Sequence, residues 1–345
     1  MSKNSKNGKT GGRRTFLVVL CCVLSLVLVL LVCGTAYMEY VLNQINRDVN
    51  NETLSDDEIH AIQNPDVTEG TLDVSVPSMN PDDVTWGDGP EVQLPEEHMI
   101  NILLIGQDRR PGEGRQRSDV MILCTFNTKN KSLTMTSFMR DLYVEYPGKY
   151  QDDRINAAYQ LGGMELLNET LKLNFGIEID GNVEVDFSQF KQIIDLLGGV
   201  DIELTRAEAN YMNNKWGSGL SAGMQHLNGE QALYYSRIRY IDSDFERTNR
   251  QRTVLNALLK TYKNISMTKL LSMMDDILPL VTTDMSNQEI IGYATKLLPV
   301  IANSDIRTQR IPADGTFEYA SIRGMSVLVP DLEANRKVLV DSLAD

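Results

Sequence analysis

Arginines, most of them beside a carboxylate, recur in six separated segments of this chain: GQDRR, RQRSDVM, FMRDLYV, RINAAY, YSRIRY and SDFERTNRQR. A guanidinium presents several N–H donors in a planar fork that suits phosphate oxygens. A hard cation such as Mg²⁺ takes oxygen ligands from one or two carboxylates and from the phosphates of a bound substrate. The mixture therefore points to an oxyanion site with a metal. Asp108 and Asp119 lie near the end of one strand candidate and the start of the next, joined by the loop RRPGEGRQRS. Loops at strand ends are where sheet folds place ligands. From spacing alone, either carboxylate could instead be half of a surface ion pair with Arg109 or Arg117. Arg237 and Arg239 are two residues apart, so on a strand they would share a face and clamp one diphosphate, whereas on a helix they would diverge by about 200°. A solvated basic stretch is the simpler reading of these two without their neighbours. Arg140 follows an apolar strand candidate, which makes a purely surface role less natural for it.

Other chemistries lack residues. The chain has three histidines, His60, His98 and His226, and no GxSxG elbow, HExxH pair or GKS/GKT phosphate loop. Histidine triads, zinc hydrolysis and nucleotide-loop mechanisms are unsupported. Cys124, in the apolar run VMILCTF, reads as a buried structural thiol because no activating neighbour is visible.

The elements that must position these residues alternate between strand and helix patterns. MINILLIG, VMILCTFN and SLTMTSF read as strands, and the polar NTKNK between the last two predicts a hairpin, so part of the sheet is antiparallel. MELLNETLKLNFG and DFSQFKQIIDLLGG read as helices with glycine stops, the second capped by Asp186 or Ser188. Short strand candidates IEI, VEV and VDIEL alternate with them. TNRQRTVLNALLKTYKN and NQEIIGYATKLLPVI read as amphipathic helices. Ile306 to Pro330 reads as short strands with turns at ADGT and RG, and a last helix covers Leu332 to Leu343. The expected fold is α/β, an α/β/α sandwich with a mixed central sheet. No internal repeat is visible.

The net charge of −14 hides a polarity, because Lys3, Lys6, Lys9, Arg13 and Arg14 precede any acid and the remainder carries about −19 once these are set aside. Such acidity disfavours a general nucleic-acid partner. Residues 15–37, TFLVVLCCVLSLVLVLLVCGTAY, carry no charge, and a helix of that length crosses a bilayer core of about 30 Å. The basic tail, residues 1–14, is expected in the cytoplasm and everything beyond the single-pass span outside it, in the cell membrane. Residues 38–98, acidic and proline-bearing, read as an extracytoplasmic linker, and 99–345 as the folded domain.

Laid out in order, NILLIGQDRR, RSDVMILCTFN, SFMRDLYV, RINAAYQLGG, VDFSQFKQIIDLLGGVDIEL, HLNGEQALYYSRIRY, DFERTNRQR, RIPADGTFEY and LVPDLE resemble the LytR-CpsA-Psr family of cell-wall glycopolymer ligases. The resemblance covers roughly seven tenths of the chain, and its specificity is collective. It implies metal-site carboxylates at Asp108 and Asp119. It implies pyrophosphate-binding positions at Arg117, Arg140, Arg237, Arg239, Arg247 and Gln251, with Asp141, Asn156 and Asp244 near the site. It also implies an apolar tunnel for a polyprenyl tail between sheet and helices, and a membrane anchor. One departure is Met139, where the family commonly has proline before the Arg-Asp pair, which changes backbone stiffness more than chemistry. The polar segment YMNNKWGSGLSAGMQ has no confident counterpart.

The activity this resemblance implies is that of an Mg²⁺-dependent phosphotransferase, with Mn²⁺ as the substitute ion. It would move glycan-1-phosphate (teichoic acid, capsule or a related polymer) from a polyprenyl-pyrophosphate carrier to a peptidoglycan acceptor, with no nucleic-acid partner. Arg117, Arg140, Arg237 and Arg239 would grip the two phosphates, and Asp141 or Asp244 would take the acceptor's proton. Two alternatives stay open at this level: a non-catalytic pyrophosphate- or glycan-binding envelope protein, and a transcriptional attenuator.

Overall fold

The structure is a computed structural model that describes residues 34–48, 54–64, 76–87, 89, 98–110, 112–239, 241–263, 267–303 and 306–344. The predicted span over 15–37 lies almost wholly outside these residues, of which 34–42 are helical. Among the described residues no helix is long and apolar enough to cross a membrane. The chain divides into two units, Met1–Gln44 and Ile45–Asp345.

The strands of the second unit are β1 (Asn46–Arg47), β2 (Met99–Gln107), β3 (Ser118–Asn127), β4 (Ser132–Phe138), β5 (Tyr143–Val144), β6 (Asp153–Arg154), β7 (Gly181–Asp186), β8 (Val200–Leu204), β9 (Gly223–Leu227), β10 (Thr282–Thr283), β11 (Ile306–Ile311), β12 (Phe317–Ile322) and β13 (Met325–Pro330). Its helices are α1 (Asp56–Gln63), α2 (Ile155–Phe175), α3 (Phe187–Leu196), α4 (Arg206–Trp216), α5 (Gly229–Ser236), α6 (Asp244–Lys263), α7 (Met267–Ile277), α8 (Asn287–Asn303) and α9 (Leu332–Ala344).

A continuous apolar run such as MINILLIG has no polar face to offer water, and it becomes the middle of a sheet covered on both sides. The seven-stranded sheet has the order β1-β10-β7-β2-β3-β4-β11. β2 runs parallel to β7 and antiparallel to β3, so the sheet is mixed. On one face Leu103, Ile105, Met121, Leu123 and Phe138 pack against α2 and α9 through Leu167, Leu171 and Leu339. On the other, Ile102, Ile122, Phe126 and Met135 meet Leu255 and Leu259 of α6 and Leu297 and Val300 of α8. Cys124 lies in this second layer, and burial pushes its thiol up to about 12, which leaves it unionised at neutral pH. The α/β/α expectation holds.

Local signals account for most boundaries. Asp186 caps α3 by accepting from the Gln189 amide at 2.8 Å, while the Gln189 side chain accepts from the Asp186 amide at 2.7 Å. This is a capping box. α2 starts nine residues before MELL and bends at Gly162 and Gly163. Gly163 has φ +66°, and a Cβ there would meet the Arg115 guanidinium at 3.0 Å.

Three expectations change. IEI is not a strand: Gly176 ends α2 in the left-handed region, and Ile177 is spent on the core before β7 begins. VDIEL is a strand, β8, but it pairs with β9 in a separate ribbon rather than joining the main sheet. Residues 38–98 are not a free spacer throughout. β1 pairs with β10 on the sheet edge, Ile59 of α1 enters the core, and Trp86 stacks on Tyr143 with ring centres 5.6 Å apart. Prolines break up the segment, but short pieces of it still find cover.

Candidate active site

The β2–β3 hairpin builds the first part of the site. Gly106 pairs with Val120 and Gln107 with Ser118, so Asp119 is the extra residue of a β-bulge. Bulges re-aim a side chain at a strand end. The position opposite must be small, since a Cβ on Gly106 would lie 3.0 Å from the Val120 Cβ. Asp119 accepts from Arg140 Nη1 at 2.8 Å. Asp108, just past the end of β2, lies 3.6 Å from Arg237 Nη2.

Arg140 follows β4, and the backbone around it is pinned three times. The Met139 amide donates to the Ile311 carbonyl at 2.8 Å, the Leu328 amide to the Asp141 carbonyl at 2.9 Å, and the Asn156 amide to the Arg140 carbonyl at 3.4 Å. Met139 therefore supplies an N–H that proline lacks, and hydrogen bonding replaces ring stiffness. Arg140 Nε is 3.4 Å from Asp141 Oδ2, and Arg154 Nη1 is 3.3 Å from Asp141 Oδ1. Burial alone would lower the Arg140 pKa, but Asp141, Asp119 and Asp244 outweigh it and hold the group above its ordinary value. It is a permanent cation.

The first turns of α6 add the third part. Arg247 is held by Asp244 at 2.8 Å, with only 4% of the arginine side chain exposed. Its Nε and Nη1, and Arg140 Nε, are buried without a hydrogen-bond partner. Burial, then the neighbouring Arg140 and Arg239 charges, push the Arg247 pKa down to about 10, against a partial offset from Asp244 and Asp119. Native interiors rarely leave such donors unmet. Arg247 is short of an anion.

YSRIRY is neither strand nor helix at its arginines. α5 ends at Ser236, Arg237 is its C-cap, and Ile238 is fully buried between the two arginines. α5 itself is set against α3, because Asn228 caps it at the Gln231 amide (2.9 Å) and a Cβ on Gly229 would collide with the Lys191 carbonyl. The motif HLNGEQ is thus the mount for Arg237. Arg237 faces Asp108, and the charge of Arg239 acts on Arg247.

Of the other expected residues, Arg117 stands apart from this group. It donates to the Ile62 carbonyl at 2.9 Å and to Gln160 at 3.4 Å. Burial and the neighbouring Arg154 charge lower its pKa, and Arg154 and Asp141 link it to the cluster. Asn156 is buried beside Arg140 with Oδ1 unpaired. Arg154 is a site residue that sequence reasoning misses, although RINAAY carries the signal, because nothing in the spacing places it against Asp141. Arg250, bonded to Glu208 at 2.7 Å and to Asp242, braces α6 against α4.

Beside the charges lies an apolar cavity of about 200 Å³ between β2, β3 and β7 on one side and α3, α5 and α6 on the other. The residues that line it sit next to the charged ones: Val120 follows Asp119, Ser236 precedes Arg237, and Gln251 lies one turn beyond Arg247. Phe187 joins the two zones, as a wall of the cavity and as the ring beneath the Arg237 guanidinium at 4.6 Å. An arginine-rich pole opening on a greasy pocket suits an amphiphile with an anionic head.

Residues 71–339 match the model of the LytR_cpsA_psr family. The chain belongs to the LytR-CpsA-Psr family. A teichoic acid transferase of this kind from Bacillus cereus, named polyisoprenyl-teichoic acid–peptidoglycan teichoic acid transferase TagU, is 34% identical over 65% of this chain and 72% of its own length. Among solved structures, TagT bound to LIIa-WTA is 27% identical with a TM-score of 0.60, covering 72% of this chain and 92% of that one. TagT with bound octaprenyl pyrophosphate lipid is 26% identical with a TM-score of 0.55 over the same shares. Members of the LytR-CpsA-Psr family therefore share this α/β frame with its mixed sheet.

Proposed function

We propose that this LytR-CpsA-Psr protein transfers a glycan-1-phosphate of the teichoic acid type from a polyprenyl diphosphate to peptidoglycan. The observation that carries the reading is the pair of buried Arg247 donors, Nε and Nη1, left without a hydrogen-bond partner beside Arg140 and near an apolar cavity. Arg140, Arg247 and Arg239 would hold the two phosphates, with Arg237 over Phe187 at the start of the prenyl channel. Asp108 and Asp119 each have one oxygen engaged by an arginine. Among the described residues no group of three or more metal-binding side chains is present. Two carboxylates fit an ion whose remaining ligands come from phosphate and water, so Asp108 and Asp119 would hold Mg²⁺. The ion would neutralise charge on the phosphate oxygens.

The acceptor hydroxyl oxygen attacks the sugar-bearing phosphorus, a P–O bond forms, and the bond to the bridging oxygen breaks so that polyprenyl monophosphate leaves with it. The fixed guanidiniums need no reorganisation as that charge develops. Asp244 is the better base of the two candidates, because Asp141 lies between Arg140 and Arg154 whereas Asp244 has one partner and a more exposed carboxylate. On the sequence alone, residues 15–37 would anchor the protein with 1–14 in the cytoplasm and the catalytic domain outside. The test is incubation of full-length protein and Mg²⁺ with a diphosphate-linked glycan lipid and a soluble peptidoglycan fragment. Appearance of the glycan on the fragment through a new phosphodiester is expected; retention of the lipid with no attachment would reduce the protein to a carrier.

A further inference from the structure

A second set of unmet donors lies under α6, on the side away from the apolar cavity. Arg252 is 7% exposed, and its Nε and Nη1 are buried with no partner. The Ser137 hydroxyl and Arg310 Nε are likewise buried and unpartnered. Ser137 and Arg310 are registered partners on β4 and β11. Ser137 also pairs with Ile122, which faces α6, so both side chains rise toward that helix. After burial, the largest influence on Arg252 is the repelling charge of Arg310, with Glu246 a weaker opposing one. Two guanidiniums brought together in a partly buried place, with no buried acid between them, are held against their own electrostatics.

Arg310 reaches from these groups toward the surface. Its guanidinium is 4.3 Å above the Phe245 ring, and its outer nitrogen is held by Asp314, a turn carboxylate that is 87% exposed. Phe245 continues outward through Phe317 (5.5 Å) to Tyr319 (5.4 Å), a residue that is 54% exposed. The surface beside Arg310 is thus aromatic.

We propose that Arg252, Arg310 and Ser137 form a second anion subsite, distinct from the diphosphate cluster, that takes an anionic group carried on a saccharide, with Asp314 as a removable competitor for Arg310. The inference rests on the transferase reading of the first site. Two sources supply such a singly charged oxyanion: a phosphodiester farther along the donor polymer, or a carboxylate of the peptidoglycan acceptor.

Affinities of full-length protein for three probes distinguish them: inorganic pyrophosphate, a lipid-free poly(phosphodiester) teichoic fragment, and a soluble peptidoglycan fragment. Arg252→Gln and Arg310→Gln should each weaken one polymeric probe about tenfold or more, as expected when a charged hydrogen bond is lost, and leave pyrophosphate affinity at the wild-type value. Loss confined to the phosphodiester probe assigns the subsite to the donor, and loss confined to the peptidoglycan probe assigns it to the acceptor. Asp314→Asn should tighten the same probe, a gain that misfolding does not produce. Unchanged affinity for both polymers in all three variants, or an equal fall in pyrophosphate affinity, would overturn the subsite. Wild-type protein that does not bind pyrophosphate would instead sink the diphosphate reading, with the subsite comparison still readable from the polymeric probes.

Discussion

Replacing Arg247 by glutamine should make the protein more stable and inactive at once. Burial and two neighbouring guanidiniums displace this group from its ordinary value to about 10, roughly two and a half powers of ten in proton affinity. At about 1.4 kcal/mol for each power, the folded state gives up about 3–4 kcal/mol to keep the cation in place without an anion. The side chain is 4% exposed, so solvent screening removes little of that figure. Loss of the Asp244 ion pair returns part of it, yet that carboxylate is a third exposed and stays hydrated. The net gain is on the order of 1–2 kcal/mol, or a rise of several degrees in Tm for a domain of this size. Transfer should fall by about a hundredfold or more, as when a preorganised donor to a developing charge is removed. Scanning calorimetry with and without pyrophosphate, beside a transfer assay, reads both halves: wild-type protein gains stability on adding the anion, and the variant starts higher and gains little. A variant that melts lower than wild type while still responding to pyrophosphate would refute the reasoning, because Arg247 would then be a structural brace.

Three other perturbations probe separate parts of the site. Asp119→Asn, at the bulge, should abolish the stimulation of transfer by Mg²⁺ with little change in Tm, and titration of Mg²⁺ against pyrophosphate affinity checks it. Leu255→Trp, which fills the apolar cavity from α6, should raise the KM for a long-chain prenyl donor about tenfold or more and leave pyrophosphate affinity unchanged; equal effects on both would mean that the chain binds elsewhere. Glu184 is 1% exposed, and burial raises its pKa against the opposing pull of Gln107 and Arg109. A carboxyl held more protonated in the folded state stabilises the fold below the ordinary glutamate range, and that contribution is lost as pH climbs through the window up to the folded value. Glu184→Gln, which keeps an acceptor for Gln107, should therefore match wild type near pH 4 and exceed it at pH 7 in denaturant midpoint; an excess that is the same at both pH values would contradict the assignment.

Much of the frame was legible because local rules and tertiary structure agree. SLTMTSF matches β4 residue for residue, NTKNK turns the hairpin, and Asp186 with Gln189 announces α3. The chain was harder to read where burial is unevenly shared. α4 looks polar because only Glu208, Ala209 and Met212 turn inward, although Thr205 and Glu208 carried a capping box that marks its start. The outer stretch before Met99 looked solvated because its prolines break up every period, yet Ile59 and Trp86 suffice to anchor it. At the site, residue types were readable and their grouping was not. Arg237 is the C-cap of α5, so neither the strand rule nor the helix rule applies to the pair, and Arg117 donates to the α1 backbone. Neither outcome follows from spacing along one strand. Arg252 looked like one more cation in TNRQR until the fold set it against Arg310.

The most direct measurement identifies the lipid that leaves when purified protein joins the glycan to peptidoglycan. One polyprenyl monophosphate released for each glycan attached is the expected result, since attack at the sugar-bearing phosphorus leaves one phosphate on each product. Release of polyprenyl diphosphate, with no phosphorus in the new linkage, would place bond breaking at the sugar carbon and contradict a site built to grip and divide a diphosphate.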